Sequence, residues 1–195
     1  MHYICYSYRI NDNSRGEAVP DRSRSVVVLA HCHLNVNTKV HGLADYPGAR
    51  SDVVLPLLKR GVGLIQLPCP EATFLGMKRW GMTREQYDTP AYRRHCETIL
   101  APVVDLLLVL VEDACKVEAI IGVDGSPSCG VDRTCVGYCG GEVAALFESG
   151  ASPHATDAKM PGVFIEVLQA LLHEADLCIP FRGVDEVEPD PSSKK

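Results

Sequence analysis

Three of the nine cysteines in this 195-residue chain sit among residues that suit chemistry. Cys32 lies between His31 and His33 and is followed by Leu34 and Asn35. Cys69 lies between Pro68 and Pro70, with Glu71 two residues on. Cys129 follows Ser126, Pro127 and Ser128 and precedes Gly130. Thiolates are soft ligands that select zinc, copper(I) or iron–sulfur clusters. Three of them leave a position open on a catalytic zinc, or on one iron of a cluster that normally takes four cysteines. An open metal position is a Lewis acid. Glu71 would add a carboxylate for proton transfer, and Ser126 a hydroxyl able to bind a substrate or a water. Taken singly, each cysteine is a small residue in a turn, because a lone Cys usually behaves as a buried hydrophobe. The case for a site rests on the three together.

Those residues can meet only if the elements that carry them end in one place. Residues 25–30 (SVVVLA), 62–67 (VGLIQL) and 117–123 (VEAIIGV) are short apolar, largely β-branched runs, which predicts buried strands. Residues 51–59 have apolar positions at helical spacing and stop before Gly61, although Pro56 interrupts the pattern. Thr89 with Pro90 is a helix start, and that helix is expected to run to about Ala114, with a disturbance at Pro102. Residues 162–175 form a strongly amphipathic helix, and residues 177–180 are expected to be a final short strand. Alternating strands and helices with continuous apolar strands predict an α/β fold, a single three-layer domain around a mostly parallel, Rossmann-like sheet. Such sheets bind ligands at the carboxyl ends of their strands. Each of the three strands runs into one of the three cysteines, so Cys32, Cys69 and Cys129 are expected to converge at one sheet edge.

The three motifs, Cys-His-Leu-Asn at 32–35, Cys-Pro-Glu at 69–71 and Ser-Pro-Ser-Cys-Gly at 126–130, resemble the signature of the thiouracil-desulfurase (TudS) family, in the same order and over most of the chain. The resemblance implies a 4Fe–4S cluster bound by three cysteines, here Cys32, Cys69 and Cys129, with Glu71 and Ser126 as the catalytic groups. It implies a desulfidase in which the open iron takes the sulfur of a thiolated nucleobase or related thiocarbonyl compound and water replaces it on carbon, without net redox change. His33, Asn35 and Ser128 are the expected substrate-binding residues, His33 being preferred to His31. The first motif departs from the Cys-Leu-Leu-Gly common in that family, and residues 72–81 (ATFLGMKRWG) depart from its Gly-rich Pro-Arg segment, which marks a distinct branch.

Residues 1–24 lack an apolar period and are expected to be a poorly ordered extension, with the domain over 25–187 and a flexible tail over 188–195. The net charge of −6 argues against a nucleic acid held through its phosphates and for a small substrate. A tRNA-thiouridine substrate is weakened by the same balance. No apolar run reaches membrane-spanning length, and no signal segment is visible, so a cytoplasmic protein is expected. The odd number of cysteines, without an export signal, argues against a disulfide framework. Cys135 and Cys139 are expected not to be cluster ligands, and the basic, Trp80-bearing stretch over 77–94 is expected to be mostly a solvated loop. A zinc-dependent hydrolase and a non-catalytic iron–sulfur module are the competing expectations.

Overall fold

The structure is a computed structural model that describes residues 22–138, 140–141 and 156–186. The expectations for residues 1–21 and for the tail, and that on Cys139, lie outside the described residues. Four strands form one sheet: β1 (Ser25–Leu29), β2 (Gly63–Gln66), β3 (Lys116–Asp124) and β6 (Phe181–Asp185), in the order β2-β1-β3-β6. Every pairing in it is parallel. A two-stranded antiparallel ribbon of β4 (Thr134–Val136) and β5 (Thr156–Ala158) stands beside it.

The β-branched run of β1 explains its central place, because successive residues serve opposite faces. Val28 and Ala30 point to one side, into a core completed by α5 (Pro90–Glu112) and α6 (Val163–Glu174) through Leu100, Leu107, Phe164 and Leu168. Val27 and Leu29 point to the other, against Val54 and Leu57 of α2 (Ser51–Lys59). Helices on both faces make the three layers expected of a fully buried parallel sheet.

Both helix-internal prolines are accommodated without ending their helices. Pro56 and Pro102 are exposed, so the carbonyls they leave without a helical partner face water. Thr89 caps α5 as its sequence suggests, its hydroxyl accepting the Tyr92 N–H at 3.2 Å. Arg24, placed at the end of the extension, is tied to the domain instead: its carbonyl accepts the Lys116 N–H at 2.8 Å and its guanidinium reaches the Asp113 carbonyl at 3.1 Å.

The last strand is a correction. Residues 177–180 are not a strand, and pairing with β3 starts at Phe181. Asp176 adopts a left-handed conformation after α6, and the Leu177 N–H folds back on the Leu172 carbonyl at 2.9 Å. The apolar residues that follow pack under the core as a connection, so the strand begins four residues late.

Leu100 is fully buried between α5 and the sheet, whereas Leu106, on the same helix, is 44% exposed. Leu100→Ala is expected to cost about 2–5 kcal/mol, and Leu106→Ala no more than about 0.5 kcal/mol. Urea unfolding of the two variants checks this; equal costs would place α5 wrongly on the sheet.

Candidate functional site

Each strand-end loop presents its cysteine by a different local device. After β1 the chain turns at once into a single helical turn, α1 (His31–Leu34), which carries Cys32. Tyr46, in the turn over residues 45–48, donates its hydroxyl to the Cys32 carbonyl at 2.9 Å and straps that turn to the site. After β2, Cys69 is the N-cap of α3 (Pro70–Leu75), its sulfur accepting the Ala72 N–H at 3.4 Å. Pro70 occupies the first helical position, where a missing N–H costs nothing. Glu71 sits in the first turn, where a carboxylate meets the positive end of the helix. Cys-Pro-Glu is thus a helix start as well as a chemical motif.

After β3 the chain reverses within a few residues. Ser126 Oγ accepts the N–H groups of Cys129 at 3.0 Å and Ser128 at 3.4 Å. The Val123 N–H donates to the Cys129 carbonyl at 2.8 Å. Three further carbonyls of the turn are taken by the start of α6: Val163 N–H to Pro127 at 3.1 Å, Phe164 N–H to Ser128 at 3.0 Å and Gly162 N–H to Gly130 at 3.0 Å. The first N–H groups of a helix lack intrahelical partners, and here they clamp the cysteine turn. A side chain at Gly162 would lie 2.5 Å from the Ser128 carbonyl carbon, so only glycine permits this approach.

Cys32, Cys69 and Cys129 line one cavity of about 140 Å³, shared with Glu71, Ser126 and Ser128. That is close to the room a benzene-sized guest occupies in a protein interior. Burial pushes the Cys32 thiol up to about 12, against the pull of the Lys39 ammonium, and pushes the Cys129 thiol well above its ordinary range. Both therefore rest as neutral thiols, and a metal bound there would have to displace their protons. Among the described residues, no group of three or more His, Cys, Asp or Glu side chains is gathered so as to hold one metal ion. The three cysteines line a shared cavity, and thiols are soft donors of the kind an iron–sulfur group takes.

Glu71 is held from three directions. Its Oε1 accepts the Ser128 hydroxyl at 2.5 Å, and its Oε2 accepts the Tyr87 hydroxyl at 3.0 Å and the Arg79 Nε–H at 3.2 Å. Burial and the Glu71 carboxylate push the Tyr87 hydroxyl up, so it remains a donor. Arg79 is buried and also donates to the carbonyls of Gly76 at 3.0 Å and Thr38 at 2.6 Å. Inside the stretch expected to be a solvated loop, Arg79 is thus an internal tie. Arg84 and Arg93 there pair with Asp88 and Glu166, while Lys78, Arg94 and Trp80, the last 65% exposed, face solvent.

The expected binding residues are placed unevenly. Ser128 lines the cavity but is turned to Glu71. His33 is buried away from the lining, its Nε2 at 3.0 Å from the Gly122 carbonyl under the sheet edge. Asn35 caps the 3-10 turn Val36–Thr38 by accepting the Asn37 N–H at 3.1 Å, and does not line the cavity either. The helical turn at His31–Leu34 reverses the preference: His31, not His33, is on the cavity wall, with Nδ1 at 3.2 Å from the Leu67 carbonyl. Cys135, on β4, also lines the cavity, with its thiol towards the Met82 carbonyl at 3.5 Å. Cys96 is buried in the core, and Cys178 is exposed. Tyr87, Lys39 and Glu186 carried no sequence signal, and Arg79 only that of its basic stretch. Each is brought to the site by a contact across the fold.

Two outcomes follow from this geometry. Removing one partner of a buried ion pair leaves the other uncompensated, so Glu71→Gln is expected to lower stability by about 3–5 kcal/mol. Adding Arg79→Met should recover much of that loss, and a double-mutant cycle in urea measures the coupling. Burial also holds His31 and His33 below their ordinary value of 6.5. The unfolded chain then takes up protons that the folded chain refuses, so their contribution is complete above about pH 6.5 and is lost as pH falls below it. Unfolding free energies measured between pH 7.5 and 5.5 should fall with pH, and His33→Gln should flatten the slope.

No protein-family model and no solved structure matches the chain. A curated relative does: an uncharacterized protein, MJ0003, of Methanocaldococcus jannaschii, is 39% identical over 110 residues, which span 56% of this chain and 70% of that protein. Identity at that level, over most of the relative's length, makes this chain a member of the same protein family as MJ0003.

Proposed function

We propose that the chain is an iron–sulfur-dependent desulfidase that replaces the sulfur of a thiolated nucleobase or related thiocarbonyl compound with oxygen from water. One observation carries this reading: cysteines from three separate strand ends line a single cavity that also holds the fixed carboxylate of Glu71. The reaction is a hydrolysis, in which C=S and water become C=O and hydrogen sulfide, so no oxidant or reductant is consumed. A 4Fe–4S cluster held by Cys32, Cys69 and Cys129 would supply a soft, open iron suited to a sulfur ligand.

The chain's own groups supply the rest. Ser126 lines the cavity, its hydroxyl lies 3.4 Å from that of Ser128, and Ser128 donates to Glu71 at 2.5 Å. Glu71, whose Oε1 holds the Ser128 hydroxyl, can take a proton from water in the cavity and return one to the departing sulfide, with the Ser126 hydroxyl on the same wall to orient water or substrate. Arg79 and Tyr87 hold the carboxylate in place while it does so. Ser126 also fixes the backbone of the cysteine turn, so its role is structural as well as chemical.

The test is anaerobic reconstitution with iron and sulfide, followed by a panel of thiobases with sulfide detection. The loaded protein should be brown and contain iron and labile sulfide. Cys32→Ala, Cys69→Ala and Cys129→Ala should each lose most of the iron. Full iron in all three variants, or zinc in place of iron, would defeat the assignment. Glu71→Gln should keep its iron and release sulfide about 10²–10⁴-fold more slowly per cluster. Unchanged turnover would remove Glu71 from the chemistry, and lost iron would make it structural.

A further inference from the structure

Four charged side chains other than the thiols and His31 line the cavity: Lys39, Glu71, Arg79 and Glu186. Glu71 and Arg79 answer each other. The other two form a second pair that neither the cluster nor the proton path uses. Lys39 follows the 3-10 turn capped by Asn35, and its ammonium lies 3.1 Å from Glu186 Oε1. Its side chain is only 12% exposed, well buried for a lysine. Glu186 directly follows β6, the fourth strand to end at this sheet edge. Glu186 keeps 36% of its side chain exposed, so the pair is screened on that side and does little for stability, which leaves the burial of Lys39 in the cavity wall to be explained.

An ammonium has three donors and no acceptor, and a carboxylate has two oxygens and no donor. One donor and one oxygen are spent on the contact between them. Each keeps capacity for a ligand, so the wall presents a donor next to an acceptor. We propose that Lys39 and Glu186 are a specificity pair that reads the lactam edge of a heterocyclic substrate. A ring carbonyl accepts from the Lys39 ammonium while the adjacent ring N–H donates to the Glu186 carboxylate. The substrate class narrows to cyclic thioamides and thioimides with a free N–H beside a carbonyl. Simple thioketones and N-alkylated rings are excluded. This rests on the desulfidase reading of the same cavity. A site built to hydrogen-bond such an edge rejects analogues that lack it, because its polar groups are then left buried and unpaired.

The test reads binding and needs no turnover. Uracil and 1,3-dimethyluracil are titrated into the purified full chain, with and without iron, by calorimetry or ligand-observed NMR. Uracil carries the edge, and its dimethyl derivative has lost both N–H donors. The wild-type chain should prefer uracil by about tenfold or more. Glu186→Ala, which removes the acceptor for the ring N–H, should abolish the preference. Lys39→Met, which removes the donor to a carbonyl that both ligands carry, should weaken the binding of both. The thermal unfolding of each variant should stay with the wild type. Equal or absent binding of both ligands by the wild type, a comparison that needs no variant, overturns the proposal. So does a preference that survives in Glu186→Ala, or uracil binding that Lys39→Met leaves unchanged. In turnover the variants should raise KM and leave kcat little changed. A preserved preference without sulfide release from any thiobase would keep the pair and remove the desulfidase reading. Sulfide release without any preference would do the reverse.

Discussion

All four strands of the main sheet run the same way, and the site depends on that. Parallel pairing puts every carboxyl end at one edge, so loops far apart in sequence open into the same space. β1 lies between β2 and β3, and those are the three strands that lead to cysteines. The site is therefore built around the middle of the sheet. β6 adds the outer wall, which is how a residue near the end of the described chain, Glu186, comes to share a cavity with Cys32. Reversing or slipping β1, β2 or β3 would take a cysteine out of the cavity, and doing so to β6 would remove Glu186.

The clamp between α6 and the Cys129 turn converts that alignment into a fixed shape. Helix N–H groups that would otherwise need water are satisfied by turn carbonyls. The helix thereby does two things with one face and one end: its apolar side closes the core through Phe164 and Leu168, and its start fixes the third cysteine. Packing and site geometry are coupled at Gly162, where no larger residue fits.

Around Glu71 the fold takes on a different cost. A carboxylate and a guanidinium have been removed from most of the solvent, which is tolerated only because every contact is hydrogen-bonded. Arg79 joins the 3-10 turn, through Thr38, to both ends of α3, through Glu71 and Gly76. It connects the loop bearing Lys39 to the helix bearing Cys69. Rigidity of this kind is what a site needs to hold a reacting group in a single orientation.

The sequence by itself determined the elements and the address of the site. Strand runs over 25–30, 62–67 and 117–123, the helix over 51–59 and the Thr89–Pro90 start are governed by side chains within one or two turns of each other, so they are legible locally. The α/β class followed from their alternation, and the convergence of the three cysteines followed from the parallel rule. What only the tertiary structure decided is which side chains face one another. The His31–Leu34 turn put His31 on the cavity wall and His33 under the sheet edge, because a helical turn does not alternate as a strand does. The late start of β6 depended on a left-handed residue after α6, and without it Glu186 could not be placed. Arg79, Tyr87 and Lys39 meet their partners across loops whose register no local pattern encodes. A hydrogen bond between residues distant in sequence depends on the relative placement of whole elements, and that is set by packing of the completed core.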